Sequence, residues 1–348
     1  MASSATSLLS SWFPWTSSPL IVAAPMRTVS GSALAAAVSN ANALGFFGAG
    51  FSTDDPSVMQ DLDTTPPLLP SAHGEDSTLP FGIGFLIFKA SLAVALEATK
   101  THRPAAVWFF AQADSEQLKE WVQAFRDAAP WTKIFVQISS MGEAREVLEL
   151  GVDAIVAQGV ADSGGHGRKA GGSILALVPE VKDLVGKMGK VVPVLAAGGI
   201  SDGRGAAAAL ALGADGVVLG TRLVASVESD APGNYKQLLV DTGDGGVSTV
   251  RTRVYDDLRG TGRWWPQQYD GRVIINDSFR DHQSGMDEET NLELYQTALK
   301  EDDFSRLTAF SGTGVGLVRE VLPAGEIVRS VRQDARDILL QRAREFSG

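Results

Sequence analysis

A histidine set among glycines is the residue in this chain best placed to move a proton. The sequence over 157–172 reads AQGVADSGGHGRKAGG, and Gly164-Gly165-His166-Gly167 lies inside it. It follows an apolar run at 152–157 that has the length and β-branched content of a buried strand. A glycine-rich loop at the C-terminal end of such a strand gives an imidazole close access to a ligand, and imidazole titrates near neutral pH. General acid–base chemistry by His166 is what this placement allows. A loop histidine ordinarily does no more than bond a nearby carbonyl. A second feature of the chain argues against that reading here.

That feature is the stretch 191–226, VVPVLAAGGISDGRGAAAALALGADGVVLGTRLVAS. It reads as strand, glycine turn, alanine-rich helix, strand and second glycine turn. Both strands are near-continuous apolar runs, as expected of parallel strands covered on both faces. Gly198-Gly199 and Gly220-Thr221 then fall at the C-terminal ends of neighbouring strands. Backbone N–H groups and helix N-termini converge there, which is the chemistry of a phosphate site. In a (β/α)8 barrel the loops after strands seven and eight hold such a phosphate. Glycines needed only for a tight turn would account for one of these pairs less strain than for both.

The elements that must position these groups follow from periodicity. Buried strands are expected at 20–26, 44–49, 80–88, 105–110, 133–138 and 152–157, with helices at 31–43, 91–101, 116–128 and 142–150. With the two strands of 191–226 this makes eight βα units. An internal echo supports the count: LELGVDAIV at 148–156 returns as LALGADGVV at 210–218. The fold class expected is α/β, a (β/α)8 TIM barrel over 1–226. A polar lid or substrate subdomain is expected at 227–311, inserted after strand eight, and a return segment with the last barrel helix at 312–348. The lid holds a strand-like piece at 248–255, the pair Trp264-Trp265, read as lid core, and an acidic helix at 286–299.

Composition excludes several classes. A net charge of −11 offers no footprint for nucleic acid or an anionic membrane. The chain has no cysteine, which removes thiolate chemistry, disulfides, iron–sulfur clusters and cysteine zinc sites. The other histidines, His73, His102 and His282, show no ligand spacing, so no metal is expected. His73 reads as a solvated loop residue, His102 as a helix-terminal cation, and His282 as at most a substrate contact from the lid. The first basic residue is Arg27, late for a signal or transit peptide, and no apolar run nears the ~18 residues of a membrane span. A cytoplasmic protein is expected, with a homo-oligomer compatible with the sequence.

Four pieces together resemble the nitronate monooxygenase family, formerly 2-nitropropane dioxygenases. They are Ala24-Pro25-Met26, the GGHG segment, AAGGISDGRG at 196–205 and the ALGADGVVLGT run ending at Gly220-Thr221. The resemblance implies an FMN-dependent barrel that oxidises alkyl nitronates, and neutral nitroalkanes through a base, with O2 to a carbonyl compound and nitrite. It implies FMN phosphate on Gly198, Gly199, Gly220 and Thr221, and a ring system near Pro25 and Met26. Gly84, Gln137, Gln158, Gly164 and Gly165 would line the flavin, with His166 facing a small-molecule substrate. Some members carry Asn at the position of Gly84 and Lys at that of Gln137, which alters the polar contacts to the flavin's pyrimidine end. Alternatives are a flavin enoyl-thioester reductase driven by NAD(P)H, a phosphate-site isomerase or synthase without flavin, and a drifted flavin-binding barrel.

Overall fold

The computed structural model describes residues 5–51, 53, 55–71 and 78–347. Short segments, all apolar except β7, supply the strands β1 (Leu20–Ala23), β2 (Phe46–Gly50), β3 (Leu79–Leu86), β4 (Pro104–Phe110), β5 (Lys133–Ile138), β6 (Ala154–Gln158), β7 (Gly165–Arg168), β8 (Val194–Ala197) and β9 (Gly216–Leu219). All but β7 join one eight-stranded parallel sheet in the order β1-β9-β8-β6-β5-β4-β3-β2. A parallel bridge between Val22 and Leu44 ties β1 to the chain entering β2, so the sheet closes. The α/β barrel expected from eight βα repeats is the fold of this chain.

Alternation along each strand divides the core in two. Val22, Phe46, Trp108, Phe135, Val156, Leu195 and Val218 fill the barrel interior. Ile21, Phe47, Val107, Val136, Ile155 and Val217 face the surrounding helices. Continuing the inward row of β5 and β6 by one pleat brings Gln137 and Gln158 to the upper end of the interior. Two polar amides at an otherwise apolar row are therefore placed by strand geometry alone.

Other parts differ from the sequence expectation. The serine-rich start forms a helix, Ala5–Trp12, not foreseen because its polar residues dilute the apolar signal. Leu9 and the fully buried Phe13 join the interior cluster, and Phe13 meets Phe135 edge-on at 6.0 Å between centroids. Burying Phe13 contributes about 2 kcal/mol. A helix at Ile174–Lys187, between β7 and β8, also went unread. The last helix runs Ala324–Phe346, and its first turns dock through Ile327, Val328, Val331 and Ala335. Arg332, itself buried, clamps it by donating to the carbonyls of Pro19, Ala41 and Asn42 at 2.7–3.3 Å. The apolar spacing continues to Phe346, but that ring is 85% exposed, so the docking stops short of the helix end.

The lid contributes β10 (Thr249–Thr252) and β11 (Tyr269–Ile274), which pair antiparallel with each other. β7 completes this sheet along the free edge of β11. The GGHG segment is thus a strand rather than a loop, and residues on both sides of position 226 build one three-stranded unit. Three glycines in four residues carry little strand propensity. The pairing is imposed by β11, about a hundred residues away, with Gly271 opposite His166. Arg251 locks the unit: it pairs with Asp270 and donates to the carbonyls of Gly167 at 3.1 Å and Val160 at 3.2 Å.

Candidate active site

A cavity of about 440 Å³ opens at the C-terminal ends of the barrel strands, beneath the lid. Of the residues singled out from the sequence, Pro25, Met26, Gln137, Gln158, Gly164, Gly165, His166, Gly198, Gly199, Gly220 and Thr221 line it. Gly84 does not. A side chain there would begin 2.2 Å from Cβ of Pro25, so the proline ring occupies the inward space above β3. Gly84 therefore seats Pro25, and an Asn at this position would require the proline to move.

One corner of the cavity has the build of an anion site. Gly198 and Gly199 turn the chain out of β8 with φ of +116° and +71°, conformations that side chains disfavour. A Cβ on Gly198 would stand 2.6 Å from the carbonyl of Gly159. Ser163 closes the corner from the β6 side, and its Oγ is buried with no hydrogen-bond partner. An orphaned buried hydroxyl costs free energy unless something fills its valence. Thr221, at the start of a short helix after β9, accepts from the N–H of Gly312 at 3.0 Å and keeps its own hydroxyl proton. Gly312 and Gly314 of the return segment also line the cavity, a role not expected from the sequence. Hydroxyl donors beside two glycine-bearing turns suit a phosphate monoester.

The adjoining wall is flatter and amphipathic. Pro25 and Met26 lie on one side, and on the other Trp108 donates its indole N–H to Oε1 of Gln137 at 3.1 Å. Among the described residues the Nε2 hydrogens of Gln137 have no partner. Gln158 is engaged differently: its Nε2 donates to the carbonyl of His166 at 3.0 Å, and its Oε1 accepts from Ser139 at 3.3 Å. It pins β7 over β6. The residues present fit FMN, with a phosphate corner at one end and an apolar wall carrying one free amide donor next to it.

His166 sits where the lid sheet meets the barrel. Its Nε2 lies 2.9 and 3.1 Å from the two carboxylate oxygens of Asp256, which is 2% exposed. Its ring stacks on Trp265 at 3.6 Å between centroids. Burial lowers the pKa of His166 below the ordinary histidine value; Asp256 opposes this, while Arg259 and Arg251 reinforce it. Burial thus favours the neutral ring. Arg27 and Arg259 also line the cavity, lying over the rings of Phe51 at 4.5 Å and Phe310 at 5.4 Å. Two guanidinium groups give this side a positive field suited to an anionic substrate.

Of the remaining histidines, neither His102 nor His282 lines the cavity. His102 bonds Asp63 at 3.1 Å; burial lowers its pKa and works against the helix-end cation expected from the sequence, while Asp63 works for it. His282 lies on the exposed face of the helix Asp277–Gln283. His73 falls outside the described residues. Sequence reasoning missed Ser163, Asp256 and the contact of Trp265 with His166. Ser163 had a usable signal, standing immediately before GGHG; Asp256 had none, being 90 positions from its partner.

Comparison with known proteins bears on the family and the fold. The family model described as nitronate monooxygenase matches residues 88–334. The chain is 45% identical to the nitronate monooxygenase npaC of Metarhizium robertsii, over 94% of this chain and 93% of that protein. It is 37% identical to a nitronate monooxygenase of Neurospora crassa, over 97% of this chain and 94% of that one. Among solved structures, FabK from Thermotoga maritima superposes with a TM-score of 0.75 at 27% identity, covering 97% and 98% of the two chains. Nitroalkane oxidase from Streptomyces ansochromogenes does so with 0.73 at 28% identity, covering 94% and 98%. Among the described residues no helix is long and apolar enough to cross a membrane. With the match spanning well over half of its length, the chain belongs to the nitronate monooxygenase family, flavin-dependent oxidoreductases.

Proposed function

We propose that the chain holds FMN in the cavity and oxidises alkyl nitronates with dioxygen to a carbonyl compound and nitrite. The observation that carries this reading is the placement of a carboxylate-tethered histidine in the same cavity as the anion corner of Gly198, Gly199, Ser163 and Thr221. FMN, when bound, supplies the electron acceptor that substrate oxidation requires. The rest is the work of side chains. Ser163, Thr221 and the glycine turns bind the phosphate. Pro25 and Met26 would support the ring system, and the Nε2 hydrogens of Gln137 would be available to it as donors. Arg27 and Arg259 draw in the nitronate, already an anion and in need of no proton removal. For a neutral nitroalkane, His166 takes the proton from the α-carbon and the C–H electron pair passes into the nitro group. Trp265 and the lid sheet keep water from the imidazole.

Two assays test the proposal together. Flavin released by denaturing the purified protein should be FMN, and oxygen uptake with ethyl nitronate should yield acetaldehyde and nitrite without a nicotinamide. A protein that recovers no flavin and binds none, or one whose flavin turns over only with NADPH and an enoyl thioester, would overturn it.

A further inference from the structure

Asp256 is buried, and His166 is its only side-chain partner among the described residues. A buried carboxylate with one partner needs a proton donor from that partner. Both carboxylate oxygens lie within 3.1 Å of Nε2. A bare lone pair on that nitrogen would face two oxygen atoms, so Nε2 carries the hydrogen. The neutral ring then has its lone pair on Nδ1, the nitrogen without a partner. The carboxylate is itself fixed through its backbone: the Asp256 carbonyl accepts from the N–H of Thr261 at 2.8 Å and of Gly262 at 2.9 Å.

We propose that Asp256 is a positioning residue that holds His166 as the Nε2–H tautomer and makes Nδ1 the atom that accepts the substrate proton. The role rests on the reading of His166 as the base. The balance closes within the pair. The α-carbon loses H⁺ to Nδ1, its electron pair becomes the carbon–nitrogen double bond of the nitronate, and the imidazolium formed stays beside the Asp256 carboxylate. Arg259 and Arg251 are the cations that act on the same ring, and Trp265 and Phe310 pack against it. Their combined effect favours the neutral ring before reaction, while Asp256 stabilises it after protonation. Nitronate oxidation needs no proton removal, so the two substrates should depend on Asp256 to different degrees.

The test uses ¹⁵N-histidine-labelled, FMN-loaded protein, with the His166 resonance assigned by its absence in His166→Asn. Wild-type His166 should be the Nε2–H tautomer at pH 7.5. Asp256→Asn, whose amide can donate to Nε2, should move the hydrogen to Nδ1. It should also lower kcat/KM for nitroethane by about 10²–10⁴-fold, the scale of general base catalysis, and leave ethyl nitronate within about threefold of wild type. Asp256→Glu should keep the Nε2–H tautomer and recover part of the nitroethane rate, which also separates this role from a folding defect. An Nδ1–H tautomer in the wild type, or an Asp256→Asn protein with unchanged tautomer and rate, would overturn the proposal. If His166→Asn itself kept nitroethane turnover, the base reading would fail first, and this role with it; loss there alongside full retention in Asp256→Asn would fault the inference alone.

Discussion

The imidazole of His166 lies flat on the indole of Trp265, with centroids 3.6 Å apart and planes 8° from parallel. Between that face and the carboxylate of Asp256 the ring has one orientation, and its remaining nitrogen has no partner among the described residues. Truncating Trp265 to Ala removes a buried indole at a cost of about 3–5 kcal/mol of stability. It should lower the unfolding temperature clearly and reduce nitroalkane turnover more than nitronate turnover. Trp265→Phe keeps an aromatic face and should stay within about tenfold of wild type on nitroalkanes, the scale of one aromatic pair. Thermal unfolding and oxygen-uptake kinetics on the three proteins measure both effects.

His166→Asn keeps a polar side chain on β7 but removes the base. The expectation is a loss of about 10²–10⁴-fold in kcat/KM for a neutral nitroalkane. The preformed nitronate should be nearly spared. Steady-state rates with both substrates at one pH decide it, and equal losses would assign His166 to binding rather than proton transfer.

At the anion corner, Ser163→Ala deletes a buried hydroxyl that lacks a protein partner among the described residues. A hydrogen bond to a charged phosphate is worth about 1.5–3 kcal/mol, so the Kd for FMN should rise by about 10–100-fold. Because that hydroxyl bonds nothing in the protein, stability without flavin should hold or improve. Gly198→Ala should weaken FMN binding and also destabilise the fold, since its Cβ would meet the Gly159 carbonyl at 2.6 Å. Flavin fluorescence titration and unfolding without flavin separate the two variants.

Burial lowers the pKa of both His166 and His102. The unfolded chain therefore binds more protons than the folded one in this range, and stability rises with pH. The contribution is complete above the unfolded histidine value of about 6.5 and is lost as pH falls toward the lower folded values. Unfolding temperature should drop between pH 7.5 and 5.5, and less so in His166→Asn. A flat profile over that interval would contradict the assigned directions.

Much of this was legible in the sequence because it rests on local signals. β5 spans Lys133–Ile138, as its apolar run indicates, and the glycine pairs after β8 and β9 mark the anion corner in one dimension. What stayed hidden depends on contacts between distant segments. β7 has no strand signal of its own and exists because β11 pairs with it. Asp256 acquires its partner only when the lid folds over the barrel. Gly84 misled because inward orientation on β3 is legible while its occupancy by Pro25 is not. Phe13 reaches the barrel interior from a segment whose serines mask its helix.

The central claim is that one cavity joins a flavin grip to a proton-accepting histidine in an enzyme driven by its nitronate substrate. Anaerobic mixing of the FMN-loaded protein with ethyl nitronate tests it most directly. The oxidised-flavin spectrum should be lost without any nicotinamide and return when oxygen is admitted, with nitrite released. A spectrum that NADPH alone alters, or that neither reagent alters, would contradict the account.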